Sequence, residues 1–173
     1  MSRRFELVSK EEYEKSIADF YEAQYNIKCF PMHKFLDYND LVLPERQTKY
    51  AAGYDFITPV DIELNPHESI KIPTGVKVKM ESDKVLMIYP RSGFGFEFFL
   101  RMANTTCIID ADYYNNPKNE GHIMMKLRNE SDRMFRVVKG TRIAQGIFMK
   151  YYLVDGDNPE DKETRAGGLG STN

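Results

Sequence analysis

The sequence is short of cysteine, and that shortage excludes several classes at once. Cys29 and Cys107 are the only two among 173 residues. They lie far apart, match no metal-ligand spacing and are too few for a disulfide scaffold, which fits a reducing compartment. A long apolar run is missing as well: no stretch nears the roughly 18 residues that read as a membrane span, and no secretory signal is present. A cytoplasmic protein is the expectation. Charge of one sign is also lacking, since 24 basic residues face 26 acidic ones for a net charge of −2. There is thus no overall field for wrapping nucleic acid, although local anion sites survive. No Ser-His-Asp set or HExxH occurs, and "HIMMKL" has no zinc-type partner, so nucleophilic and zinc catalysis are disfavoured. The 42% hydrophobic content suffices for the core of one domain, or of one domain with an appendage.

Near the start, "SKEEYEKSIADFYEAQY" sets Ser9 and Glu12 at capping-box spacing and puts Tyr13, Ile17, Phe20 and Tyr21 on one helical face. This predicts a helix over about residues 10–25. The next stretch, with Pro31 and Pro44 and no clear period, is a connector. His33 within it has no partner triad and reads as structural. From Gly53 onward the texture turns to short β-rich runs: "YDFIT", "SIKIP", "VKVKM", "KVLMIY", "EFFLRM", "HIMMKL", "MFRVV" and "IAQGIFMKYY". Turn signals such as "IPTG", "NNPKNEG" and "VKGT" separate them, which argues for a sandwich, jelly roll or barrel. Neither βαβ alternation nor an internal repeat appears. "DGDNPEDKETRAGG" reads as a mobile polar linker to a glycine-rich tail.

Several short segments carry chemistry. In "IIDADYYNN", Asp110 and Asp112 share a strand face unless the chain turns there. Asp110 follows two apolar β-branched residues and is a candidate general base, with a turn-forming Asp as the alternative. "YPRSGFGF" combines Arg91, Ser92, Gly93 and Gly95, where small residues let backbone N–H groups approach a phosphate and the arginine adds charge-assisted bonds. The tail repeats that chemistry with Arg165, its glycines, Ser171 and Thr172, yet lacks the lysine and spacing of a Walker A loop. "KGTRIAQ" holds Arg142 and Gln145 three apart, on opposite faces of a strand unless a bulge intervenes. "AAGYD" reads as a turn with Gly53 at a special dihedral and Asp55 available to a metal's water shell.

In order, "AGYD", "PRSG", "IIDADYYNN", "GTRIAQ" and "RAGGLGST" resemble the five motifs of trimeric dUTP pyrophosphatases, the dUTPases, across about residues 51–172. The resemblance implies an all-β, jelly-roll-like β-clip subunit of a homotrimer, with the predicted N-terminal helix added as in some bacterial and phage members. It divides the chain into a helical extension and connector (1–45), a β domain (46–154) and a flexible arm (155–173). It implies three active sites at subunit interfaces, each closed by the glycine-rich tail of a third subunit. The reaction implied is Mg²⁺-assisted hydrolysis of dUTP to dUMP and pyrophosphate, which keeps uracil out of DNA and supplies dUMP for dTMP synthesis. By position, Asp110 is similar to the catalytic aspartate that deprotonates water, and Tyr113 to the tyrosine that packs on deoxyribose. Asn104 and the backbone from Thr105 to Ile109 match the uracil hairpin. Asp55 and Gln145 match the polar groups around the metal, acting through water. Ser92, Gly93, Arg142, Arg165, Gly168, Gly170, Ser171 and Thr172 match phosphate-side positions, and Arg91 matches one that either binds or braces.

The chain also departs from that pattern. Leu169 stands where the family usually stacks a phenylalanine on uracil, which removes stacking and keeps apolar contact. Cys107 replaces a usual glycine of the uracil hairpin. Tyr114-Asn115 and a longer "NPKNEGH" replace the Arg-Gly that commonly follows the tyrosine, and Asn tolerates the positive φ of such a turn. Two other functions compete with this one. A dCTP deaminase shares the superfamily fold but needs a glutamate near the pyrimidine, whereas this chain carries the pyrophosphatase-type aspartate. A nucleotide-gated regulatory module would engage a repressor or other protein partner through the N-terminal helix, whose stripe otherwise packs on its own chain.

Overall fold

The computed structural model describes residues 3–27, 34–162 and Gly167. The expectations for Cys29, His33, Arg165, Gly168, Leu169, Gly170, Ser171 and Thr172 fall outside the described residues. In chain order the elements are β1 (Arg4–Leu7), α1 (Lys10–Tyr25), β2 (Tyr54–Ile57), β3 (Ile62–Leu64), β4 (Ser69–Pro73), β5 (Val76–Lys79), β6 (Lys84–Pro90), α2 (Ser92–Phe98), β7 (Leu100–Met102), β8 (Cys107–Asp110), β9 (Met124–Asn129), β10 (Phe135–Val137) and β11 (Arg142–Lys150). All strand pairings are antiparallel. The principal sheet runs β2-β11-β6-β8, a second runs β4-β9-β7, and β1-β5 and β10-β3 form two-stranded ribbons. This is the β-rich body with an N-terminal helix that the sequence predicts.

Alternation along the principal sheet sorts its faces. Phe56, Leu86, Ile88, Cys107, Ile109 and Ala144 point into the core and are buried. Gly146 is needed between them, since a Cβ there would lie 2.9 Å from both Leu86 Cδ1 and Phe56 Cε2. The opposite face carries Val85, Met87, Tyr89 and Ile147, with Ile108 57% and Met149 47% exposed. An apolar sheet face open to water is unusual in a chain that works alone.

The helix spans the predicted residues. Ser9 Oγ accepts from Glu12 N at 3.1 Å, and Asn26 ends the helix in the left-handed region at φ 53°. Tyr13, Ile17, Phe20 and Tyr21 are buried. The Tyr13 and Tyr21 hydroxyls donate to the carbonyls of Leu36 and Lys34 at 2.9 and 3.0 Å, and burial pushes both phenols up. The apolar stripe is therefore satisfied within its own chain. The capping box is only half formed, because Glu12 turns away to the ring of His122. Glu120 takes its place: Ser9 N donates to Glu120 Oε2 at 3.0 Å and Ser9 Oγ to Oε1 at 2.5 Å. Burial raises the Glu120 carboxyl, but its bonds from Ser9 and Lys77 outweigh that and hold it below the usual range.

Two elements depart from the sequence expectation. β1 precedes the helix and pairs along its whole length with β5; four residues are too few to show a period. The predicted strand "EFFLRM" is α2 up to Phe98, a left-handed cap at Phe99 and β7 only from Leu100. Phe94 and Phe98, one helical turn apart, both pack edge-on against Phe135 at 5.2 Å, which favours the helix over an extended run.

Candidate active site

The site residues gather in two groups. In the first, Asp55 lies on β2 opposite Gln145 of β11. Its carboxylate, 11% exposed, has Oδ2 3.7 Å from Arg91 Nε and 4.0 Å from Arg142 Nε. Arg91 caps the start of α2, and its backbone N–H donates to Ile143 O at 3.1 Å, which ties that helix to β11. The register of β11 on β2 shifts between Arg142 and Ala144. This bulge lets Arg142 and Gln145 both address Asp55 despite their odd spacing. Ser92 and Gly93 open α2, and nothing lies within 4 Å of where a Gly93 Cβ would stand. Gly53 does not hold the special dihedral expected of it. Its requirement is room, since a Cβ would sit 2.7 Å from Gln145 Oε1 and 3.2 Å from Gln145 Cβ.

In the second group, Asp110 closes β8 opposite Val85 of β6, and the chain then enters a 3-10 turn over Ala111–Tyr113. Asp112 therefore leaves the strand, and the two carboxylates do not share a strand face. Both border a cavity of about 530 Å³ with Asp83, Tyr151, Asp157 and Lys162. Tyr113 is buried; its hydroxyl donates to His122 O at 2.9 Å and accepts from Asn119 Nδ2 at 2.8 Å. Its ring lines a second cavity of about 550 Å³ beneath α1.

Asn104 is exposed in the turn between β7 and β8, beside Thr105 at φ 69°; the two strands belong to different sheets, and the turn is closed by the Met102–Thr105 bridge. The Ile109 side chain is in the core, so it offers only its backbone to a ligand. Cys107 pairs in register with Ile88 of β6, and burial pushes its thiol up to about 11. It is a packed neutral thiol rather than a nucleophile.

The groups stand apart along one sheet. Asp110 pairs with Val85 and Gln145 with Tyr89 on the same strand. That offset is about 13 Å along β6, and two strand spacings add about 10 Å across, so the backbones lie about 16 Å apart. No group of three or more His, Cys, Asp or Glu side chains among the described residues could hold a metal. Asp55 is already engaged by two guanidinium groups. The donor set fits an ion that arrives on a phosphate chain and is touched through water, as suits reluctantly dehydrating Mg²⁺, rather than a resident cage.

A sequence model of the dUTPase family matches residues 39–173. The chain belongs to the dUTPase family. The deoxyuridine 5'-triphosphate nucleotidohydrolase of Lactococcus lactis is 43% identical over 130 residues, covering 75% of this chain and 87% of that one. The enzyme of Nautilia profundicola is 34% identical over 136 residues, 77% of this chain and 92% of the relative. The crystal structure of the Streptococcus mutans dUTPase superposes with a TM-score of 0.66 at 34% identity, covering 88% of this chain and 98% of that one. The dUTPase of Staphylococcus bacteriophage 80alpha, at 21% identity and a TM-score of 0.60 over 94% of this chain and 98% of its own, shares the fold. The match opens at residue 39, within the connector, so β1 and α1 precede it.

For this dUTPase-family chain the geometry yields a direct expectation. Gly53→Ala should displace the Gln145 amide while leaving the core untouched. Nucleotide hydrolysis should fall about tenfold in kcat/KM with little change in melting temperature, measured on the same preparation. Sequence reasoning read Glu12 only as half of a capping box and missed Glu120 and the part His122 plays, although the three tie α1 to the Tyr113 segment. No local pattern links residue 9 to residue 120, and His122 read as the start of a β run without a zinc-type partner.

Proposed function

We propose that the protein hydrolyses dUTP to dUMP and pyrophosphate. The observation that carries this reading is the sorting of the scattered motifs into a phosphate-side group around Asp55 and a base-side group around Asp110, in a chain of this family. Asp110 accepts a proton from a water molecule, whose oxygen attacks the α-phosphorus; the bond to the bridging oxygen breaks and pyrophosphate leaves. Arg142 and Ser92 bind phosphate oxygens. Arg91, held by Asp55, braces the cradle. Tyr113 packs on the deoxyribose, and the segment from Asn104 to Ile109 reads uracil through its backbone. Arg165, Gly168, Leu169, Gly170, Ser171 and Thr172 close the site from the tail. Asp55 and Gln145 would hold Mg²⁺ through water, and the ion would supply charge neutralisation and a fixed conformation to the triphosphate.

The protein acts as a homotrimer. The Asp110 side of one subunit meets the arginine side of the next, in keeping with a backbone separation of about 16 Å between the two groups within one chain. The apolar outer face of the principal sheet supports such an assembly. The test is pyrophosphate release from dUTP, dCTP, dTTP and UTP, each in Mg²⁺ and in EDTA. Release is expected from dUTP alone and should fall more than about tenfold in EDTA. Equal release from dUTP and dCTP, or indifference to EDTA, would overturn the reading.

A further inference from the structure

We infer that Glu12 of α1 and His122 act as positioning residues for Tyr113, so that the N-terminal helix helps set the preference for a 2'-deoxy sugar. The inference rests on the reading of Tyr113 as the residue against the sugar. Its warrant is a chain of hydrogen bonds that runs from the helix to the phenol. His122 is fully buried, and its ring nitrogens have different tasks. Nε2 accepts from the backbone N–H of Gly75 at 2.8 Å, so it carries no proton. The proton is then on Nδ1, which donates to Glu12 Oε1 at 3.1 Å. With its ring clamped at both nitrogens, His122 presents its carbonyl in one place. That carbonyl accepts from the Tyr113 hydroxyl at 2.9 Å and from Asn119 Nδ2 at 3.3 Å.

The segment between them is pinned from the other side. Asn116, itself buried, donates from Nδ2 to Tyr113 O at 2.9 Å, and Glu120 receives Ser9 and Lys77. Tyr113 is thus held at its backbone and at its hydroxyl, and the ring between has no freedom to swing. A ring that cannot yield excludes an added hydroxyl on the sugar beneath it; a ring released at its far end makes room. Glu12 reaches Tyr113 through His122, which makes it a positioning residue.

The experiment compares kcat/KM for dUTP and UTP in wild type, Glu12→Ala, Glu12→Gln, Tyr113→Phe, Tyr113→Ala and the Glu12→Ala/Tyr113→Phe double variant, with melting temperatures alongside. Glu12→Gln keeps an acceptor for Nδ1–H and should hold the dUTP:UTP ratio within twofold. Glu12→Ala and Tyr113→Phe should each lower that ratio at least fivefold, and the double variant should be no worse than the poorer single, since both cut one chain of bonds. A lowered melting temperature with an unchanged ratio in Glu12→Ala would reduce Glu12 to a structural residue and overturn the inference, while a collapse in Tyr113→Ala would leave the sugar reading standing. An unchanged ratio in Tyr113→Ala would sink that reading and the inference with it. Should Glu12→Ala fail to fold, Tyr113→Phe leaves the helix intact, and an unchanged ratio there overturns the inference by itself.

Discussion

Asp110→Asn should abolish pyrophosphate release from dUTP, with a loss of about 10³-fold in kcat and little change in nucleotide affinity. The carboxylate ends β8 and borders an open cavity, so an amide of the same shape fits without repacking. What it lacks is the capacity to take a proton from water. Stopped-turnover measurement of pyrophosphate, paired with calorimetric binding of a non-hydrolysable dUTP analogue, separates the two effects. The same variant also tests the sharing of sites. Arg142→Ala should be strongly impaired for a different reason, and co-refolding the two inactive variants in equal amounts should restore activity in about a quarter of the sites, where an intact Asp110 faces an intact Arg142 across an interface. A mixture as inactive as its components would place both residues in the site of one subunit.

The second large effect is expected on stability. Gly121 sits at φ +81°, and a Cβ there would approach Tyr113 O to 2.5 Å and Tyr114 Cα to 2.9 Å. Those neighbours are backbone and cannot step aside as a long side chain would. Gly121→Ala therefore combines a left-handed conformation with a backbone collision and should cost about 3 kcal/mol or more. Thermal melting reads this as a fall well beyond 5 °C. A variant as stable as the wild type would mean that the 114–121 loop re-forms along another path. Because Gly121 lies against Tyr113, folded Gly121→Ala protein should also lose hydrolytic activity.

What was legible in the sequence follows from the range over which each residue acts. Helix α1 was visible to the residue because its stripe and its Ser9 cap are local. The strands from β4 to β6 and β11 were visible through alternation and turn chemistry. Arg142 and Gln145 were readable as partners only through the bulge, and no residue between them announces one. Gly53 was recognised as special for the wrong reason: a dihedral was expected, whereas the need is space for Gln145. The helix in "SGFGFEF" was hidden because its support, Phe135, lies far along the chain. The role of Glu120 was invisible for the same reason, since capping by a residue 111 positions away leaves no local trace. The candidate site was legible in its residue types through the family resemblance, while its division into two groups needed the register of β8, β6 and β11.

That remote cap also bears on the order in which the molecule assembles. β1 and α1 leave the ribosome before their partners, since β1 pairs with β5 and the first turn of α1 is completed by Glu120 and braced on His122. Short helices are marginal alone. These residues therefore wait, without their final partners, until Glu120 has emerged, and a nascent chain ending before Glu120 should leave this helix exposed to protease.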